Sequence, residues 1–160
     1  MFHSIAFFII AYLAFAISGL LFRIDQKWYS QLKKPKFTPP NKAFGIAWGI
    51  IYAFIALSLT IVHNKVGLFN TSELYFYALL VNYVANQAYS YLFFAKKDLR
   101  LAFLDTILIL LSGIVLVYAT LPYSTLAAIL LIPYVLWTSF ALYLSYGIYT
   151  KNKDTNIKSE

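Results

Sequence analysis

The 160-residue chain has no cysteine. Disulfide frameworks, zinc fingers, thiolate-ligated clusters and cysteine nucleophiles are therefore excluded. Charge is scarce too: 12% of residues are Asp, Glu, Lys or Arg, against about 25% in an ordinary soluble domain. So little charge cannot cover a water-facing surface. His3 and His63 are the two histidines, too few for a metal-ligand cluster, and paired axial haem ligation is not expected of them. Neither a glycine-rich phosphate loop nor a G-x-S-x-G elbow occurs. Hydrophobicity, in contrast, is high: 61% of the chain is apolar and 19% aromatic, with fourteen Tyr and fourteen Phe. Disorder needs the opposite composition. What remains is a single small domain that uses lipid as its solvent.

A membrane-spanning helix needs about 20 mostly apolar residues. Five runs qualify: 2–22, 43–62, 74–95, 101–121 and 126–149. The expected fold class is all-α, an integral membrane bundle of five transmembrane helices over residues 1–150. Residues 151–160 form a polar tail that is expected to fray. Ala14-Phe15-Ala16 looks like a signal cleavage site. No Lys or Arg precedes the first run, however, and the run is too long for a signal core, so it reads as a true helix.

The net charge of +7 finds its explanation in where the cations fall. Twelve sit at one end of the runs: Arg23, Lys27, Lys33, Lys34, Lys36, Lys42, Lys96, Lys97, Arg100, Lys151, Lys153 and Lys158. Lys65 alone sits at the other. The positive-inside rule places the twelve in the cytoplasm, with the N-terminus outside and the first loop and C-terminus inside. That division requires an odd number of spans. The charge thus marks a membrane side, and nucleic acid is not an expected partner.

The first loop, 23–42, is long for a small bundle. Pro35, Pro39 and Pro40 favour extended, non-helical backbone. Two readings remain open for it. One is an interfacial loop, with Trp28 and Tyr29 at headgroup level and lysines on anionic lipid. The other is a stiff lid over a cavity.

In the third run Asn82, Asn86, Tyr89, Ser90 and Phe93 share one helical face, with Gln87 beside it. Asn86 lies roughly 15 Å from Lys96 and roughly 20 Å from Glu73 along a helix, near mid-membrane. An unpaired amide there costs several kcal/mol. These groups either bond a neighbouring helix, for about 0.6 kcal/mol each, or line a polar patch in a cavity, which so many on one stripe favour. Phe44, Trp48 and Tyr52 follow one another at i, i+4, i+8, as do Pro133, Trp137 and Ala141. Such stripes are packing in most helices. Here they bring rings and amides of three helices to similar depth, which suits a flat, largely apolar ligand with a few hydrogen-bonding groups. The indole N–H of Trp137 needs a partner there, and Pro133 is expected to kink its helix. Asp105 is the acid furthest inside a run. An ion pair with Arg100 or Lys97, or an interface contact, is the preferred reading over a functional one. Ala11, Ala14, Ser18 and Gly19 in the first run, and Ala78, Ala85 and Ala88 in the third, permit close helix approach.

The pattern W-Y-x-x-L-x-K-P-x-x-x-P-P from Trp28 to Pro40, followed by W-x-x-x-Y from Trp48 to Tyr52, resembles the first loop and second helix of the translocator protein (TspO/MBR) family. N-Q-A-Y-S-Y-L-F-F (Asn86 to Phe94) resembles its third helix, and L-L-I-P-Y-V-L-W-T-S-F-A-L-Y-L (Leu130 to Leu144) its fifth. The match spans nearly the whole chain in order. The resemblance implies a five-helix bundle, usually a homodimer, that binds porphyrins and synthetic isoquinoline or benzodiazepine ligands. Carried over by position, the ligand site comprises Trp28, Tyr29, Pro39, Phe44, Trp48, Tyr52, Asn86, Gln87, Tyr89, Ser90, Trp137 and Ala141. It implies a bacterial-type member in the plasma membrane. Animal members bind cholesterol at the fifth helix, and Leu144-Ser145-Tyr146 followed by Lys151 fits that loose pattern. Two departures bear on ligand preference: Tyr89 stands where many members have Trp, and Ser145 where many have Asn. Three tryptophans are few for a family named for them.

The expected function is a membrane receptor or sensor for a porphyrin such as protoporphyrin IX or a haem-like ring, with no required cofactor and no metal. Rings would stack on Trp48, Tyr89 and Trp137, hydrogen bonds would come from Asn86, Gln87 and Ser90, and Lys33, Lys34 or Lys36 would meet propionates. The alternative is an enzyme for light- and oxygen-dependent porphyrin degradation in the same pocket, with Trp48 and Trp137 as candidate catalytic residues. A transporter ranks third, because no internal repeat is visible.

Overall fold

The structure, a computed structural model, describes residues 2–153. Among the described residues it is helical, without strands: α1 (Phe2–Leu21), α2 (Gln26–Gln31), α3 (Asn41–Val66), α4 (Glu73–Ser90), α5 (Leu99–Thr120) and α6 (Thr125–Asn152). A 3₁₀ turn (Leu68–Asn70) precedes α4, and a π turn (Tyr91–Ala95) continues it. Short polar side chains set the starts. Asp25, Ser72, Asp98 and Ser124 each accept the N–H three residues on, from Trp28, Tyr75, Leu101 and Ala127. Each such cap is worth about 1 kcal/mol. Helix α3 starts directly after Pro39-Pro40 and ends at Gly67, whose φ of 78° is open to glycine at no steric cost.

Each apolar run is helical, with shifted ends: α3 continues to Val66 rather than stopping at residue 62. Four helices, α1, α3, α5 and α6, are long and apolar enough to cross a membrane. Helix α4 falls below that measure, so the expected five spans stand at four by length and hydropathy. The reason lies in its composition: two Asn, one Gln, one Ser and four Tyr in eighteen residues. Helix packing closes a ring in the order α1, α3, α6, α5, α4 and back to α1. Ile55, Val62, Tyr75, Leu116, Leu131 and Tyr134 fill its interior. Leucines and isoleucines face outward, among them Ile10 (66% exposed) and Leu136 (66%), as a lipid-facing surface requires.

The first loop departs from the expected extended backbone, because Gln26–Gln31 is helical. It is docked at two points. Trp28 is buried edge-on against Phe93 at 5.6 Å, beside Leu32, Ala102 and Ile148. Asn152 accepts the Lys33 N–H at 2.9 Å and donates to the Lys33 carbonyl at 2.8 Å. Helix α6 runs through Asn152, two residues into the expected tail, where the loop holds it. Residues 154–160 lie outside the described residues. Pro35 packs on Gly147, where a Cβ would stand 2.5 Å from Pro35 Cγ. Lys97, at a left-handed φ of 55°, reaches Asp25 at 2.9 Å. The Trp28 N–H and the Lys97 ammonium hold the Asp25 carboxyl below its ordinary pKa. That contribution is complete above the unfolded value of about 3.9 and is lost as pH falls through the lowered one.

Asn152→Ala leaves both Lys33 backbone groups unpaired. The expected result is a loss of about 1–2 kcal/mol, read as a lower melting temperature, with faster trypsin cleavage after Lys36. Unchanged cleavage would show that Asn152 does not hold the loop.

Candidate functional site

The ring encloses a cavity of about 430 Å³ at its lysine-bearing end. Phe44, Trp48 and Tyr52 line it from α3. Asn86, Tyr89 and Ser90 line it from α4, Phe93 from the π turn, and Thr138, Ala141, Leu144 and Ile148 from α6. Tyr29 of α2, Thr38 of the loop and Asn41 at the start of α3 reach it from above. Its walls are mainly apolar, with a few polar groups at fixed positions, as in small-molecule sites generally.

The polar face of α4 divides into two kinds of residue. Asn82 is fully enclosed and bonds three partners: its Nδ2 donates to Ile109 O and to Ser112 Oγ, both at 3.0 Å, and its Oδ1 accepts the Tyr134 hydroxyl at 2.9 Å. Gln87 joins α4 to α1, donating to Phe15 O at 3.3 Å and accepting the Ser18 N–H at 3.1 Å. These two bind helices together. Asn86 and Ser90 face the cavity. The Tyr52 hydroxyl donates to Asn86 Oδ1 at 3.1 Å, and Ser18 Oγ donates to Ser90 Oγ at 3.3 Å.

Eight of the twelve residues expected at the ligand site line the cavity: Tyr29, Phe44, Trp48, Tyr52, Asn86, Tyr89, Ser90 and Ala141. Trp28, Pro39, Gln87 and Trp137 do not. Trp28 is buried in the loop's own anchor. Trp137 stands behind the wall, edge-to-face with Trp48 at 6.5 Å and 5.4 Å from Phe44. It borders a shallow apolar groove with Ala47, Ile50, Phe54 and Pro133 on the outside of α3 and α6. Its indole N–H is buried without a partner among the described residues. Sequence reasoning missed Tyr12, Ala16 and Gly19 of α1, Thr106 and Ile109 of α5, and Thr138. Thr138 lies three residues before Ala141 on one helical face and was within reach of the same argument. The small residues of α1 carried no chemical signal beyond close packing.

The cations and the buried acid also differ from expectation. The Lys34 ammonium lies 4.2 Å from the Tyr29 ring centre, and burial raises the Tyr29 hydroxyl pKa. Asp105 makes no ion pair with Arg100 or Lys97. Lys97 is turned to Asp25 instead, and Asp105 Oδ2 is buried with no hydrogen-bond partner among the described residues.

With this geometry in hand, known proteins give a consistent picture. The profile of the TspO/MBR family matches residues 6–150. The membrane protein YtaB of Bacillus subtilis (strain 168) is 44% identical over 149 residues, covering 93% of this chain and 96% of that one. The tryptophan-rich protein TspO of Bacillus cereus is 40% identical, with the same coverage. The human translocator protein is 29% identical over 127 residues, covering 79% of this chain and 75% of its own.

The two kinds of polar residue separate by experiment. Asn82→Ala orphans the Tyr134 hydroxyl and opens a void, so a loss of about 2–4 kcal/mol is expected. Tyr52→Phe removes one interhelical bond, for about 0.6 kcal/mol. Melting of the purified protein checks both, and equal losses would contradict the division.

Proposed function

The chain belongs to the TspO/MBR family, and from that premise we propose that it is a membrane receptor binding a porphyrin or a related flat apolar ring in the cavity. The observation that carries the reading is the lining. Phe44, Trp48, Tyr52 and Tyr89 offer ring faces, and Asn86 and Ser90 offer hydrogen bonds at the same level. A flat conjugated ring meets both needs. The cavity's volume, about 430 Å³, falls within the common range for small-molecule sites.

The receptor sits in the plasma membrane of a bacterial cell with α4 as its fifth span. Polar side chains on α4 are satisfied within the bundle rather than in lipid, so low hydropathy does not bar the crossing. The lysine-bearing end, with the first loop, faces the cytoplasm, and the working unit is a homodimer.

A second reading is favoured by one contact. Trp48, in the cavity wall, meets Trp137 at 6.5 Å, and Trp137 meets Phe140 at 5.6 Å toward the outside. In this reading a light-excited porphyrin in the cavity passes an electron through Trp48 and Trp137 to molecular oxygen outside the wall, so that the ring is oxidised and the oxygen is reduced to superoxide.

Titration of protoporphyrin IX into the protein in lipid nanodiscs tests the receptor. Trp48→Ala should weaken binding about tenfold, the loss of about 1.4 kcal/mol of ring contact. Equal affinity for wild type and the Trp48→Ala, Trp137→Ala double variant would remove the pocket. Illumination in air tests the second reading: Soret absorbance should fall faster with protein than with free porphyrin in the same lipid.

A further inference from the structure

The cavity wall is uneven. On the α5 and α6 side the lining residues are sealed: Ile109 is 3% exposed and Thr138 1%. On the α1 and α3 side Gly19, Leu20 and Gly45 line the cavity and are exposed outward as well. A residue that faces both ways stands at an opening. A Cβ placed on Gly19 or Gly45 would meet nothing within 4 Å.

Helices α1 and α3 are joined at their other end, where Phe7 stacks on His63 at 4.1 Å and Ser4 Oγ donates to Asn64 Oδ1. No side-chain hydrogen bond joins them at the cavity end among the described residues. Around the gap the outward surface is apolar, with Ile17, Ile46 and Ile50 exposed, so the opening faces lipid. The loop does not close it, because the loop is tied to α6 through Asn152 and Gly147. Arg23 and Lys42 flank it: each directly follows a lining residue, Phe22 and Asn41.

We propose that the gap between α1 and α3 is a lateral window, through which a flat amphiphile dissolved in the bilayer slides edge-on into the cavity with its anionic groups held by Arg23 and Lys42. The window rests on the geometry alone; the porphyrin as its passenger rests on the proposed function. An apolar ring already partitioned into lipid then never crosses water. The anionic edge stays at the level where α1 ends and α3 begins, among cations, while the ring meets Trp48 and Tyr52.

The absence of native cysteine makes a direct test possible. Ala141→Cys places one thiol across the cavity, and isosteric Ser90→Cys supplies a second reporter should the first misfold. Both are labelled with N-(1-pyrenyl)maleimide dissolved in the vesicles that hold the protein. Adding Gly45→Leu, which enters open space, should slow labelling about tenfold without lowering the melting temperature. Adding Asn152→Ala, which frees the loop, should leave the rate within about twofold. An unchanged rate with Gly45→Leu, or a large acceleration with Asn152→Ala, overturns the window. For wild type that binds protoporphyrin IX, Arg23→Gln with Lys42→Gln should weaken the free acid about tenfold and spare its dimethyl ester; equal weakening of both overturns the role of the two cations. Slower labelling in a protein that binds no protoporphyrin would keep the window and refute the porphyrin.

Discussion

The amide of Asn82 fixes the arrangement of the bundle. It is wholly enclosed and bonds α5 through Ile109 and Ser112, and α6 through Tyr134. In lipid no water waits to replace those partners, and an orphaned amide costs several kcal/mol. Helix α4 therefore cannot rotate. Asn86 lies one turn further on the same face and Ser90 two turns, so both must also point inward. Once Asn82 is satisfied, an interior polar wall at the lysine-bearing end follows from helical geometry.

Whether that wall meets packing or space is decided by α6. At the level of Asn82 it presents Tyr134, which fills the interior. One and two turns on, the same face presents Thr138 and Ala141. A phenol is exchanged for a hydroxyethyl and a methyl, and the vacated volume is the cavity. The π turn widens the last turn of α4 and places Phe93 where Trp28 can pack on it. Such turns recur at functional sites. Here it connects the floor of the loop to the wall of the cavity.

Much of this was legible because periodicity is local. The runs, the α4 stripe and the Phe44–Trp48–Tyr52 line depend only on residues within one helix, and they hold Phe44, Trp48, Tyr52, Asn86, Tyr89, Ser90 and Phe93 of the lining; Tyr29 came with the resemblance. What escaped depends on partners far away in sequence. Trp28, in a basic proline-rich loop, has the chemistry of a ligand wall or an interface anchor; Phe93 makes it a plug. Trp137 shares a helical face with Ala141, yet the wide indole sits behind Trp48 while the small methyl reaches the cavity. Lys97 was matched to Asp105 by proximity in sequence, but the turn at Lys97 aims it at Asp25. The reading of α4 as a span rested on counting an apolar run, whereas its amides and tyrosines lower its hydropathy below that of its neighbours.

The same distribution of contacts assigns stiffness. The loop is tied to α6 by both backbone groups of Lys33, and any side chain at Gly147 would collide with Pro35. Lifting the loop must break those ties and expose Trp28. Helix α1 differs. It buries Ala11, Phe15 and Ser18, and at the cavity end its side-chain hydrogen bonds run to Gln87 and Ser90 of α4. Toward α3 at that end it offers Ala16 and Gly19, which have no donor to lose. Among the described residues no side-chain hydrogen bond runs from α1 itself to α3 there, the nearest being from Asn41 at the start of α3 to Gln26 of α2, whereas moving the loop breaks several. Lipid chains fill the widened seam at little cost, since they are as apolar as the side chains they replace. The low-energy way into this cavity therefore lies through its wall and not under its lid.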